Sequence, residues 1–353
     1  MKVKYALVGF GGIAENRVAK EGFACDRRRF KALKFAELVG ATDLNPARQK
    51  AAEALGLKWY PTIDAVFADK SVDGVYIATN NASHAKLALA ALKAGKHVIV
   101  EKPIATSVAD AKAMNKVAKA KGLSLTVDHM MVNNAYNIAG KAAMKTLGAI
   151  NDSCFHMEFA YGYDPAEAAT WRCSKVEEMG GPIGDVASHC FYVAEFMFGK
   201  RIAKVAAVYY PKLMKMKAED GAYIKFFFED GTQGSVNASF SERRGGLVGT
   251  LTNLGYEIYG AKAALRGYGT MFQLSGYADE PVKQRLEIDY GKKVDAVRPA
   301  KIQNIYQTLV EGHAKSVASG KPQNVDAAIH NLALCAAVHE SAKRGGALVH
   351  IKF

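Results

Sequence analysis

A chain of 353 residues, half of them hydrophobic, is long for a single core and predicts two domains. Its net charge of +13 would suit an acidic ligand or simple solubility. The lysines (Lys112, Lys116, Lys119, Lys121) are scattered among alanines rather than interleaved with aromatics, which argues against nucleic-acid binding, and the Arg27-Arg28-Arg29 run reads as a solvated face. The five cysteines are odd in number and form no CxxC pair. This argues against a disulfide framework or zinc knuckle, so no metal site is expected, and it fits a reducing cytoplasm. No charged-then-apolar leader is seen, and no apolar run approaches the ~20 residues of a membrane span.

The first third alternates strand and helix. VKYALVG is an apolar strand, followed by a helix from Ile13 and a basic segment leading to the strand FAELVGATD. Pro46 to Leu55 is helical, with Pro46 suited to a first turn. VDGVYIAT, HVIVEKP and LSLTV are further strands, separated by helices at Ser83–Ala94, closed by Gly95, and Ala109–Lys121, closed by Gly122. Near-continuous apolar strands between helices predict a parallel sheet covered on both faces, a Rossmann-type doubly wound arrangement. From about Gly148 the runs alternate in character, and Asp230-Gly231 reads as a hairpin turn. A second α+β domain with a largely antiparallel open sheet is expected, ending in helices at Ile302–Ser319 and Val325–Arg344. The division expected is 1–127 for a cofactor domain and 128–353 for a substrate-binding and oligomerisation domain.

Gly9-x-Gly11-x-x-Ala14 follows a strand and opens a helix, the context a pyrophosphate-binding turn requires. Gly9 permits the tight turn, Gly11 lets amides approach the phosphates, and Ala14 allows close packing; Phe10, Gly12 and Ile13 complete the loop. Asp43, at the end of the second strand, is placed to hold the adenosine ribose hydroxyls, or to cap a helix ahead of Pro46, or both. No arginine follows Asp43 directly, so NAD is favoured over NADP, although Arg48 lies a few residues on.

The segment ATNNASHAKLALAALKAGKHVIVEKPIA resembles the TPNxxHxxxAxxALxAGKHVxxEKPxA signature of the glucose-fructose oxidoreductase / inositol dehydrogenase / rhizopine catabolism (Gfo/Idh/MocA) family. The resemblance covers nearly all of the chain. It implies that Thr79, Asn81, His84 and Glu101 line the cofactor site and that Lys102 is catalytic beside the nicotinamide. Pro103 offers a cis Lys-Pro bond. GGPIGDVASHCFYVAEFMFG, from Gly180, resembles the family's GGGxxxDxGxHxxD segment and implies catalytic and substrate-binding roles for Asp185 and His189, four apart on one helix face. The chain departs from the family at Tyr192, where aspartate is frequent, and at Met131-Val132-Asn133-Asn134, so standard inositol specificity does not carry over.

His129, Trp171 and Arg172 are further substrate-side candidates; His129 and Trp171 serve structural roles equally well. Asp128 lies beside His129 at the strand end, and Arg243 and Arg244 read as exposed loop residues.

The implied activity is NAD-dependent hydride transfer between nicotinamide and a secondary alcohol of a sugar, polyol or glycoside. Either Lys102 or His189 is the base, with Asp185 positioning. An alternative within the same family is glycoside hydrolysis or elimination through transient oxidation by tightly bound NAD. The resemblance also implies a homo-oligomer, dimer or tetramer, packed through the second-domain sheet, and the aromatic strand AYIKFFFED is compatible with that.

Overall fold

The computed structural model describes residues 2–242 and 253–352, so Arg243 and Arg244 lie outside the described residues. The chain forms two compact units, the first of residues 1–130 and 304–329, the second of 131–303 and 330–353.

The first unit holds a six-stranded sheet of β1 (Val3–Val8), β2 (Ala36–Thr42), β3 (Lys58–Trp59), β4 (Gly74–Ile77), β5 (His97–Val100) and β6 (Leu125–Val127), in the order β3-β2-β1-β4-β5-β6. Every pairing is parallel. The strand interiors explain why: Ala6, Leu7, Val75, Ile77, Val98, Ile99 and Val100 are all fully buried, as a sheet with helices on both faces requires. Helices His84–Lys93 and Val108–Lys121 provide two of the crossovers. The latter starts where Ser107 caps the amide of Asp110 and stops at Gly122, whose φ is +64°. The order reverses direction between β1 and β4, and the strand ends there open the crevice in which such sheets bind ligands.

The sequence-based boundary places 304–329 in the second domain; the structure places it in the first. Helix Ile305–Ala318 begins at Asn304, whose side chain accepts from the amides of Tyr306 and Gln307. Its buried face lies against the Rossmann sheet. His313 Nδ1 lies 2.6 Å from the Tyr5 hydroxyl, and Ser316 Oγ lies 2.7 Å from Ser124 Oγ. At Gly22 a Cβ would sit a tight 3.1 Å from that of Tyr306, so glycine eases the close approach of the two helices. The apolar periodicity of this helix names a buried face but not the partner, which is why the sequence mislocates it.

The second unit is a nine-stranded sheet. Its strands are β7 (Ile150–Glu158), β8 (Ile202–Tyr209), β9 (Gly221–Phe228), β10 (Gln233–Ser239), β11 (Leu254–Gly260), β12 (Ala264–Tyr268), β13 (Arg285–Asp289), β14 (Val294–Ala296) and β15 (Val349–His350). They run in the order β14-β13-β12-β11-β7-β10-β9-β8-β15, antiparallel except where β7 meets β10. The expected hairpin joins β9 to β10 with Gly231 at φ +87°. One face buries Phe155, Met157, Ile224, Phe226, Val236, Ala238, Tyr256 and Ile258. The other carries Val208, Tyr223 and Tyr259, which are 56, 60 and 40 % exposed.

Candidate active site

The turn after β1 is shaped by what lies around it. Gly9 has φ +89°, and a Cβ on it would stand 2.6 Å from the carbonyl oxygen of Ala78 at the end of β4, so only glycine fits. At Gly11 and Gly12 a Cβ would meet nothing within 4 Å. Their smallness serves no protein packing and leaves the backbone open to a ligand. The helix that follows, Ala14–Gly22, is wound in wide i→i+5 turns and carries no side-chain cap at Ile13, so its first amides suit an anion. Ala14 is 1 % exposed, as close helix packing needs.

Asp43 closes this turn from β2. Its Oδ2 accepts from the Phe10 amide at 2.6 Å and its Oδ1 from the Asn45 amide at 2.7 Å. Each oxygen keeps a second lone pair for a hydroxyl. The cap ahead of Pro46 is Asn45, whose side chain accepts from the Ala47 amide, not Asp43. Phe10 contributes its amide to Asp43 and its fully buried ring to the core. Arg48 is also committed. Its Nε donates to the Phe10 carbonyl at 2.7 Å, and its guanidinium pairs with Glu15. A cavity of about 440 Å³ opens here, lined by Gly9, Gly11, Asp43, Leu44, Thr79, Ser83 and Lys86 among others, a size suited to a cofactor fragment.

The loops after β4 and β5 are tied by His84. This fully buried ring sets Nδ1 2.7 Å from the Pro103 carbonyl and Nε2 3.2 Å from that of Thr79. Burial lowers its pKa, so the neutral ring has one N–H and donates it across the shorter contact. His84 thus acts as a tether between two cofactor-side loops. Thr79 Oγ1 lies 2.7 Å from Ser83 Oγ, Asn81 is 5 % exposed, and the Lys102–Pro103 peptide is cis.

Beneath Lys102 lies a cluster that sequence reasoning missed. The Tyr76 hydroxyl is 3.0 Å from Glu101 Oε1 and also bonds Asp128 Oδ2. Burial, then repulsion from Glu101, raises Asp128 well above the usual carboxylate range, and burial raises Glu101 as well. Two carboxyls so placed share a proton rather than both ionising. The available signal was Tyr76 itself, a phenol inside an otherwise apolar parallel strand that must find a polar partner. His129, next along, is pushed down to about 3 by burial and by the Lys102 cation, so it is a neutral ring.

In the second unit, Asp185 lies in a wide turn at Ile183–Ala187 that runs into helix Ser188–Phe198. Arg172 Nε donates to Asp185 Oδ2 at 2.7 Å. The guanidinium carbon of Arg172 stands 5.1 Å from the centre of the Tyr161 ring and 5.4 Å from that of Trp171, which is half-buried. Asp185 holds Arg172 firmly protonated, and burial raises Tyr161 to about 12. His189, 1 % exposed, has Nδ1 2.6 Å from the Tyr192 hydroxyl. Tyr192, standing where the family's aspartate is frequent, therefore meets the imidazole at i+3 just as a carboxylate would.

A 3-2-1-4-5-6 parallel sheet with a glycine turn and a strand-end carboxylate defines a dinucleotide-binding Rossmann protein. The family model described as "Oxidoreductase family, NAD-binding Rossmann fold" matches residues 3–129, and the GFO/IDH/MocA C-terminal domain matches 143–266. The chain belongs to the Gfo/Idh/MocA family of NAD-binding oxidoreductases. It is 28 % identical over 269 residues to 1,5-anhydro-D-fructose reductase of Ensifer adhaerens, covering 74 % of this chain and 76 % of that one. With scyllo-inositol 2-dehydrogenase (NAD(+)) of Bacillus subtilis it shares 26 % over 247 residues, 67 % of each chain. Aldose-aldose oxidoreductase from Caulobacter crescentus, solved with glycerol, has the same fold at TM-score 0.83 and 22 % identity, with 99 % of this chain and 100 % of that one covered. Levoglucosan dehydrogenase in complex with NADH and levoglucosan superposes at TM-score 0.81 and 21 % identity over 100 % of both chains. Among the described residues, no helix is long and apolar enough to cross a membrane.

Proposed function

We propose that this oxidoreductase moves a hydride between NAD and a secondary-alcohol carbon of a sugar, polyol or glycoside. The observation that carries the reading is Asp43, fixed by two backbone amides at the rim of the cavity that Gly11 opens onto. The relatives named as acting on anhydro-fructose and inositol supply the substrate class. The turn fits NAD. The amides around Gly11, Gly12 and Ile13 would hold the pyrophosphate, and the free lone pairs of Asp43 the adenosine ribose. Arg48, engaged by Glu15 and the Phe10 carbonyl, is not offered to a 2′-phosphate, which favours NAD over NADP.

Bound NAD supplies the two-electron acceptor, and the protein must manage the proton. We assign the catalytic groups as Lys102, His189 and Asp185, with Lys102 or His189 taking the hydroxyl proton as the carbon is oxidised. Tyr192 fits His189 for both directions. In both directions Nδ1–H donates to the phenol oxygen: the neutral ring then offers Nε2 as a base, and the imidazolium offers Nε2–H as an acid. Asp185, ion-paired to Arg172, stays ionised and accepts a substrate hydroxyl, while His129, Trp171 and Arg172 contribute to substrate binding. A homo-oligomer burying the sheet face of Val208, Tyr223 and Tyr259, and a cytoplasmic location, complete the reading.

The test is a panel of anhydrosugars, inositols, aldoses and aryl glycosides incubated with NAD. The reading expects NADH to accumulate in step with substrate loss. Aglycone release without net NADH would replace it with NAD-assisted glycoside cleavage, and conversion of nothing would defeat both.

A further inference from the structure

We propose that Cys154, His156 and Glu257 form a binding site for one thiophilic divalent cation, zinc foremost, on the face of the nine-stranded sheet opposite its buried core. None of these residues belongs to the dinucleotide turn or to the catalytic groups assigned above.

The argument starts from strand alternation. Along β7, Phe155 and Met157 point into the core, 0 and 3 % exposed, so Cys154, His156 and Glu158 share the opposite face. β11 runs antiparallel beside β7, with Glu257 directly opposite Cys154. Backbone pairing alone therefore brings a sulfur, an imidazole and a carboxylate together across two central strands. One ligand atom from each of Cys154, His156 and Glu257 lies within 4.8 Å of the other two, and all three residues are half-buried.

Zinc takes such mixed S, N and O donors at about 2.0–2.3 Å in a tetrahedron, which sets donors roughly 3.3–3.8 Å apart. His156 Nε2 and Glu257 Oε2, at 3.1 Å, need to open by only a few tenths of an ångström to reach that spacing. The thiol, within 4.8 Å of both, needs to close by at most about 1.5 Å, within reach of a side-chain adjustment. Glu158 supplies what a ligating histidine normally has behind it. Its Oε2 lies 3.8 Å from His156 Nδ1, longer than a hydrogen bond but on the side from which a carboxylate would close on the ring and leave Nε2 as the ligand atom. Three protein donors leave a fourth position for water, and a thiolate–imidazole–carboxylate set selects zinc over magnesium or calcium. The ion would clip β7 to β11 at the middle of the sheet.

A protonated His156 set among Cys154, Glu158 and Glu257 would account for these contacts without an ion, and only a sulfur–metal bond separates the two arrangements. The experiment therefore reads the sulfur. The full chain, stripped with a chelator and kept reduced, is titrated with Co²⁺ and followed by the near-ultraviolet thiolate-to-cobalt band. One Co²⁺ per chain is expected, displaced by Zn²⁺, with NAD binding unchanged. Cys154→Ser should abolish the band, Glu257→Gln should weaken the site, and Glu158→Gln should lower affinity about 10–100-fold. The absence of a saturable band, or a band that survives Cys154→Ser and so arises from Cys25, Cys173, Cys190 or Cys335, overturns the proposal. Should Cys154→Ser fold poorly, a Zn²⁺-dependent rise in Tm in the unsubstituted chain that Glu257→Gln removes supports it, and no such rise overturns it.

Discussion

The two units hold their functional carboxyls in opposite electrostatic states. Glu101 and Asp128 are both raised, buried together against the Tyr76 hydroxyl, and keep a proton between them. Asp185 is instead bound to the Arg172 guanidinium, which is stacked near Tyr161 and Trp171. The same functional group is thus raised by burial in the first unit and held against a guanidinium in the second. In the first, burial outweighs the pull of the nearby Lys102 cation; in the second, a guanidinium is hydrogen-bonded to the carboxylate itself. The first arrangement limits negative charge near the strand end that carries Lys102; the second presents a fixed acceptor.

The sharpest way to break this comparison is Lys102→Ala. Loss of a proton-transfer group should lower kcat about 10²–10⁴-fold while NAD affinity changes little. Steady-state kinetics beside NAD titration checks this, and the same experiment on His189→Ala shows which residue sets the ascending limb of the pH–rate profile. Asp43→Ala should weaken NAD by roughly 10–100-fold, the worth of hydrogen bonds to a charged acceptor, and narrow the preference over NADP. Calorimetric titration of both nucleotides reads it. Arg172→Ala removes the guanidinium that Asp185 accepts from and should cost about 1.5–3 kcal/mol of stability in denaturant unfolding, with a raised KM. Tyr192→Phe removes the hydroxyl that meets His189 and should lower kcat about tenfold with Tm little changed.

The subtlest effect is on pH dependence. A carboxyl whose folded pKa is raised binds its proton more tightly in the native chain than in the unfolded one. Its stabilising contribution is present below the unfolded value and is lost as pH climbs through the folded one. Asp128→Asn, which mimics the protonated form, should flatten that decline by up to about 1.4 kcal/mol per pH unit. Urea unfolding across pH 4–9 measures it; an unchanged slope would show that Asp128 is ionised in the fold.

Much of the first unit is legible in the chain because its signals are local. The apolar runs of β1, β4 and β5, the glycine turn and the Ser107 and Gly122 helix stops each lie within a few residues of what they determine. The short strand Lys58–Trp59 shows no such run, since two residues carry no periodicity. The docking of Ile305–Ala318 onto Tyr5 and Ser124 is illegible for another reason, because it depends on residues almost two hundred or more positions away. The site divides similarly. Asp43 is readable from its strand end, but that Asn45 rather than Asp43 caps the next turn depends on backbone angles. His84 looks like a cofactor ligand by position and is a tether by contact. In the second unit, the alternation of β7 gives a face without naming the strand beside it, so Glu257 joins Cys154 and His156 only through register.

The central claim is tested most directly by a substrate deuterated at the carbinol carbon, followed by NMR through one turnover with stoichiometric NAD. Transfer of one deuterium to the nicotinamide ring per molecule converted is the predicted result. Substrate consumed with its deuterium retained throughout, or lost to water without ever reaching the nicotinamide, would contradict the account.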